Sequence, residues 1–478
     1  MYRLLVLLPF VSCLSQAACK PPCRFAPLYT SKEIVKDPRP FIEDVLYWEG
    51  HFAQPGIGYN AANEMTYDGT LLDQKTGLAS AYGAGRHNFS AASKESLHVM
   101  VLAKALAGDA NAARFISPGS PSAAPDKAYK IMKQKLATYL AFNETYPGFG
   151  GLLPWYNNTY AAIEPTSDWI NRIPVLDNGE LLCAVYGAVH DLQRSSRPHH
   201  RKLGDQWQDW LDYASVNVAK MFYHGKGKVC AVANLKQALS PTDAKQNYSC
   251  EGTGVLDDPY EGELFTWWPY FFDGLDEYYK HGIGPITVQK GFWFSSHEQW
   301  KVLEMPYYDV DLVKRLYTNA ERARTCNSAA RQVPGEYASV NNVTDTYGEI
   351  IGYISNAGIP SIANQTEQGL DVVTPYAVFP TLLVEGKRDR AVGMTWWRNM
   401  VTGKKMQNPY GSTESERLDG TAVSSFVSWD SKITTVAALL GDVVDEVRQK
   451  MKVDGIYEEF LRVTEVGVCL CLNETRAD

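Results

Sequence analysis

Two stretches of this chain set acidic side chains among apolar or aromatic neighbours: Asp257-Asp-Pro-Tyr-Glu-Gly-Glu-Leu-Phe-Thr-Trp-Trp-Pro-Tyr270 and Gly441-Asp-Val-Val-Asp-Glu-Val-Arg448. In the first, Glu261 and Glu263 lie among Tyr260, Phe265, Trp267, Trp268 and Tyr270. Aromatic faces stack on the C–H faces of sugar rings. Cleavage of a glycosidic bond uses two carboxyl groups, one giving a proton and one activating water or attacking. This combination points to an enzyme acting on carbohydrate.

Each acid also has a plainer reading. Glu261 opens an amphipathic stretch, so it can simply cap a helix N-terminus, where the dipole favours the ionised form and opposes use as an acid. Burial among Tyr260, Trp267 and Trp268 pushes the other way. Asp442, Asp445 and Glu446 follow an apolar run and can form a solvated acidic face. On one helix Asp442 and Asp445 share that face and repel, with Arg448 placed to pair with Asp445. Two further segments offer donors and acceptors for sugar hydroxyls: Asp177-Asn178-Gly179-Glu180, just after Asp168-Trp169, and Asn408-Pro-Tyr410-Gly-Ser412-Thr-Glu414. The plainer reading of both is capping and turn formation. No Gly-x-Ser-x-Gly elbow is present, which argues against a serine hydrolase.

The elements that must hold these groups are helical. Apolar residues recur at helical spacing in Leu97, Met100, Val101 and Ala105 behind Ser93, and in Met132, Leu136, Tyr139 and Leu140 behind Pro125. They recur again in Leu181, Val185, Ala188 and Leu192, in Trp207, Leu211, Ala214, Val218 and Met221, and in Leu440, Val444, Val447 and Met451. Further helices are expected near 38–50, 262–280, 285–302, 308–325, 371–384 and 388–402. Long Gly-, Pro- and Asn-containing loops separate them, for example 50–90, 145–175 and 403–430, with a hairpin expected around 228–254. No Pro- or Ser-rich linker marks a domain boundary. The economical fold is all-α: a single (α/α)6 barrel, a double ring of helices whose long loops and few short strands build the active site at one end.

The composition narrows the partners. A net charge of -8 gives no basic face for nucleic acid. Aromatic residues make up 12% of the chain, with doublets at Trp267-Trp268 and Trp396-Trp397, which suits a sugar-binding cleft as well as a core. The N-terminus, Met1-Tyr-Arg3 followed by an apolar run to Val11 and then Ser15-Gln-Ala17-Ala18, has the make-up of a secretory signal peptide over residues 1–18. Residues 19–464 are then the catalytic domain and 465–478 an atypical tail. The sequons at Asn88, Asn143, Asn157, Asn247, Asn342 and Asn364 agree with a secreted glycoprotein. Disulfides are permitted there, and Cys230–Cys250 is the best pair because it closes a polar excursion, whereas Cys183 reads as a buried free thiol. No grouped His or Cys residues have the spacing of a metal site, and His199-His200 reads as solvated. The expectation is a monomer with no metal, no cofactor and no membrane segment.

The strings Asp258-Pro-Tyr-Glu261-Gly-Glu-Leu-Phe-Thr-Trp-Trp268, Asn408-Pro-Tyr-Gly-Ser-Thr-Glu414 and Ser428-Trp-Asp-Ser-Lys432 through Arg448 resemble the fungal endo-β-1,2-glucanases of glycoside hydrolase family 162. The resemblance runs over nearly the whole mature chain and stops short of the tail. It implies an (α/α)6 barrel and an inverting endo-hydrolase of linear β-1,2-glucan that yields short sophorooligosaccharides. It carries the general acid to Glu261, acting through a substrate hydroxyl, and the general base to Asp445, acting through a water relay. Two relayed transfers imply carboxyls farther apart than the roughly 6.5–9.5 Å of direct inversion. Asp177, Asn178, Tyr260, Glu263, Trp267, Trp268, Tyr410, Ser412, Glu414 and Asp442 are then substrate-binding candidates. A helical-barrel hydrolase of another glucan linkage and a non-catalytic glycan-binding protein stay open as alternatives.

Overall fold

The computed structural model describes residues 23–73, 77–79, 86–224, 229–242, 248–253, 299–340, 353–354, 372–385, 390–403, 405–420, 423–462 and 464. Helices dominate these residues, and they fall into two kinds by burial. Helices Ala92–Leu106, Val175–Arg194 and Trp429–Leu440 are buried along most of their length on every side. Helices Arg39–Glu49, Ala124–Thr145, Pro198–Phe222, Ala391–Val401 and Val444–Val453 bury one face only, as an amphipathic outer helix must.

The buried helices pack side by side in series. Phe379–Glu385 packs on Trp429–Leu440, that helix on Ala92–Leu106, that one on Val175–Arg194, and the last on Lys301–Glu304. The amphipathic helices back this series: Ala124–Thr145 lies on Ala92–Leu106, while Pro198–Phe222 and Val444–Val453 lie on Val175–Arg194. The two ends of the series also touch, since Trp300 Nε1 donates to Tyr376 Oη at 2.6 Å. A close approach fixes one glycine here: a Cβ on Gly187 would stand 3.0 Å from Val443 Cβ and 3.2 Å from Val447 Cγ2.

The expected helical stripes hold for 97–105, 132–140, 181–192 and 207–221, although the caps differ. Ala91, not Ser93, is the N-cap of Ala92–Leu106, and Val175–Arg194 begins before Asp177. The last stripe is broken. Trp429–Leu440 ends on Gly441 at φ 79°, Asp442 follows at φ 51°, and a new helix runs Val444–Val453. Two consecutive left-handed residues cannot continue a helix, so Asp442 and Asp445 do not share a helical face. His200 is likewise buried, stacked on Tyr129 at 5.0 Å, rather than solvated.

Short antiparallel strands occupy the loops that enter the buried helices. Strand Gly69–Leu71 lies between Phe426–Ser428 and Arg86–His87. Strands Phe89–Ser90, Tyr156–Asn158 and Ile163–Pro165 form a second sheet, and Arg172–Pro174, Val232–Leu235 and Tyr248–Cys250 a third. Most are two or three residues long, too short for period-two patterning to announce them. The third sheet includes the hairpin expected at 228–254, and a disulfide joins Cys230 to Cys250. Cys183 is a buried free thiol. Among the described residues, no helix is long and apolar enough to cross a membrane.

Candidate active site

Three of the buried helices present their N-terminal turns together, and each carries there a charged residue that is not fully buried. Lys94 is the third residue of Ala92–Leu106, Asp177 the third of Val175–Arg194 and Asp430 the second of Trp429–Leu440. Lys94 is the one residue between 92 and 105 that is not buried, and Asp430 has the same distinction within 429–440. Such exceptions mark the place where a helical core opens.

Lys94 Nζ lies 3.1 Å from Asp430 Oδ2 and 3.6 Å from Asp68 Oδ1. Asp68 Oδ2 is in turn 2.9 Å from His87 Nδ1. Asp177 Oδ2 accepts from Trp155 Nε1 at 2.7 Å, which fixes that indole over the opening. Trp155 stands 4.5 Å from Trp169 and 5.3 Å from Phe89 between ring centroids, and the Arg172 guanidinium lies 4.2 Å over Trp169. Aromatic rings beside carboxyl oxygens are what a sugar requires, apolar faces for C–H groups and acceptors for hydroxyls.

The environment drives the two acids on Lys94 apart. For Asp68, burial works against ionisation, but the bonds to His87 and the charge of Lys94 outweigh it and hold the carboxyl below its ordinary range. For Asp430, burial pushes the carboxyl up, and the Lys94 charge offsets only part of this while Asp68 and Asp177 add to it. Asp430 Oδ1 is buried with no hydrogen-bond partner among the described residues. It is therefore a candidate acceptor for a water or a hydroxyl.

The scaffold beneath is polar and fully engaged. Glu95, buried beside Lys94, accepts from Thr66 N at 2.8 Å, Lys135 Nζ at 2.7 Å and Tyr139 Oη at 2.8 Å. It ties the loop bearing Asp68 to an inner and an outer helix. Glu414 accepts from Ser428 N at 3.1 Å and Ser431 Oγ at 2.6 Å, at the N-terminus of the helix that carries Asp430.

These contacts redistribute the expected sugar-binding residues. Asn178 is fully buried, receiving from Leu153 N at 2.9 Å and donating to Leu153 O and Pro174 O. Ser412 is buried, its backbone N–H on Glu49 and its oxygens on Lys432, which also pairs with Glu49. Glu414 and Asp442 are buried as well, and Asp442 Oδ1 accepts from Val444 N at 2.8 Å. All four are buried, with polar atoms engaged inside the protein. Tyr410 is half-buried, its hydroxyl accepting from Ala79 N at 3.2 Å. Only Asp177, of the candidates among the described residues, belongs to the aromatic opening.

Asp445 is elsewhere. It lies in the first turn of Val444–Val453, half-exposed, with Arg448 Nη1 2.5 Å from its Oδ1 and Arg448 also paired with Asp309. Asp430 begins the 12-residue helix Trp429–Leu440 and Asp445 follows its far end. At 1.5 Å per residue such a helix is about 18 Å long, so the two aspartates sit at opposite ends of it. Glu261, Tyr260, Glu263, Trp267 and Trp268 lie outside the described residues, as do Asn247, Asn342 and Asn364. Of the other sequons, Asn88 and Asn157 are exposed and Asn143 partly so. His224 lies near Cys230 and Cys250, but those sulfurs are joined to each other and offer no thiolate.

Sequence reasoning missed Asp68, His87, Phe89, Lys94, Trp155 and Asp430 as candidate site residues. The usable signal was a lysine in the first turn of a helix, where the dipole disfavours a cation and nearby acids must hold it.

The sequence profile of the family described as endo-beta-1,2-glucanase SGL, of glycoside hydrolase family 162, matches residues 65–472. The chain belongs to this family. It is a glycoside hydrolase. A solved endo-β-1,2-glucanase from Talaromyces funiculosus, in complex with sophorose, is 54% identical with a TM-score of 0.89, covering 95% of this chain and 94% of that one. A glutamate-to-glutamine mutant of the same Talaromyces funiculosus enzyme, in complex with β-1,2-glucan, matches at a TM-score of 0.88 with the same identity and coverage. The endo-β-1,2-glucanase from Chitinophaga pinensis shares 11% identity at a TM-score of 0.56 over 92% of this chain and 98% of that one, a likeness of fold alone. No curated protein matches the chain.

Proposed function

We propose that this family 162 member is a secreted, monomeric endo-β-1,2-glucanase that cleaves linear β-1,2-glucan to sophorooligosaccharides with inversion, needing no metal or cofactor. The observation that carries the substrate is the 54% identical relative, whose structures hold sophorose and β-1,2-glucan. The series of buried helices backed by amphipathic ones supports an (α/α)6 barrel. The Cys230–Cys250 bridge and the exposed sequons at Asn88 and Asn157 support a secretory route.

In this reading Glu261 is the general acid, giving its proton through a substrate hydroxyl to the glycosidic oxygen as the C–O bond breaks. A water attacks the anomeric carbon from the opposite face and loses its proton to the base. The relative bound to glucan after a glutamate-to-glutamine change is what loss of such an acid looks like, binding kept and proton donor removed.

Two aspartates compete for the base. The family resemblance assigns Asp445. The geometry favours Asp430, which stands beside the aromatic rings with a buried oxygen that has no partner among the described residues, whereas Asp445 is clamped by Arg448 beyond the other end of that helix. Purified protein incubated with β-1,2-, β-1,3- and β-1,4-glucans, with product analysis, tests linkage and catalysis together. Products from another linkage alone, or none at all, would sink the substrate. Among folded variants, Glu261→Gln and Asp430→Asn are expected to lose about 10²–10⁴-fold in turnover, with Asp445→Asn losing much less. The reverse order for the two aspartates would return the base to Asp445.

A further inference from the structure

We propose that Lys94 is a positioning residue of this site: its ammonium, held from behind by Asp68, pins Oδ2 of the Asp430 carboxylate and so sets the orientation of Oδ1. The proposal rests on the reading of Asp430 as base and goes beyond it by naming what tunes that base.

A lysine in the first turn of a helix works against the dipole, and this one is only 12% exposed. It can stay charged only because acids surround it. Among the described residues, the charged groups facing the pair are Asp68 from the loop before strand Gly69–Leu71, Asp177 from helix Val175–Arg194, and His87, which faces Asp68 from its own strand. Burial pulls Lys94 down, yet Asp430, Asp68 and Asp177 together raise it, so it is a cation throughout the working range. The remaining side is covered by Phe89, with Nζ 6.0 Å from its ring centroid.

The arrangement divides labour between the two near carboxylates. Asp68 has both oxygens engaged, by His87 and by Lys94, and serves as the fixed counter-charge. Asp430 has one oxygen on Lys94 and the other without a partner among the described residues. Pinning Oδ2 fixes the plane of the carboxylate and so the direction of Oδ1. The same contact opposes the burial and the neighbouring negative charges that push the Asp430 carboxyl up.

The sign of the effect is testable because two variants must move it in opposite directions. With Asp430 acting as base, the acidic limb of kcat/KM against pH reports its ionisation. Lys94→Met removes the stabilising cation, and the limb is expected to move to higher pH by about 1–3 units. Asp68→Asn removes a repelling charge and leaves Lys94 to Asp430 alone, so the limb should move to lower pH. Lys94→Arg keeps the charge and should restore most of the limb position lost in Lys94→Met. Circular dichroism checks folding, and Asp68→Asn with Lys94→Arg carries the test if Lys94→Met does not fold. Variants that lose activity equally at every pH, or move the limb in the same direction, overturn the proposal and leave Lys94 a structural residue. Asp430→Asn separates the two claims. If it retains turnover, the base assignment itself fails; if it is inactive and the limbs do not move, only the role of Lys94 fails.

Discussion

At the scale of single residues, the same side-chain types serve as reagent or as girder depending on how many of their polar atoms are already engaged. Asn178 and Asp177 are adjacent in sequence and one residue apart on a helix. Asp177 meets an indole at the opening, while Asn178 bridges Leu153 N, Leu153 O and Pro174 O in the interior. Asn178→Ala would leave a buried N–H and two carbonyls short of partners, each worth about 1–3 kcal/mol. The variant is therefore expected to lose several kcal/mol in chemical denaturation, with the affinity of the remaining folded protein for glucan unchanged. Normal stability with weakened glucan binding would reinstate Asn178 as a sugar contact.

At the scale of elements, the site depends on how closely the buried helices approach. Gly187 lets Val175–Arg194 lie against Val443 and Val447, and Gly441 with Asp442 turns the chain sharply between two helices. Gly187→Leu would force these surfaces apart. Overpacking of this kind costs typically 1–3 kcal/mol, and more where backbone must shift. A lowered melting temperature with the pH limbs of activity in place is the expected result, because the strain arises near the far end of the helix from Asp177. An unchanged melting temperature would show that the two helices can separate at little cost. The helical stripes were legible in sequence because burial of a face imposes a 3.6-residue period. The break at Gly441 was not, since the apolar period happens to continue across it.

At the scale of the whole molecule, charge is buried at both ends of the helical layer, and the far end sets a pH dependence of stability. Asp191 is pushed up to about 8 by burial, with Glu446 adding to this and Lys104 and Arg194 opposing it; its Oδ2 has no hydrogen-bond partner among the described residues. Lys104 is already committed to Glu446, at 2.7 and 3.0 Å. For an acid raised in the folded state, the unfolded chain releases the proton first. Stability is therefore complete below the ordinary carboxyl range near 4 and falls as pH rises toward 8, by up to about 1.4 kcal/mol per unit. Asp191→Asn should flatten that slope in denaturant melts between pH 4 and 8, and match the parent below pH 4. A parent whose stability is level across this window, or rises, would refute the buried neutral carboxyl.

The sequence by itself determined the class of the protein: helical periodicity comes from burial of one face, and family-specific strings such as Asn408 to Glu414 persist wherever they sit. It also marked the polar excursion that Cys230 and Cys250 close. Which carboxylates gather in one place was decided only by tertiary structure. Asp68, Lys94, Asp177 and Asp430 are spread along the chain, and each alone reads as an ordinary loop or helix-start residue. They meet because three helices end their N-terminal turns side by side, and that contact is encoded in packing rather than in any local pattern. Asp445, in an acidic and apolar-flanked string, is placed by the fold in the first turn of the next helix, Val444–Val453, paired with Arg448. Local sequence fixes what a side chain can do; only the fold decides what it faces, and therefore whether its charge is spent on the protein or kept for a substrate.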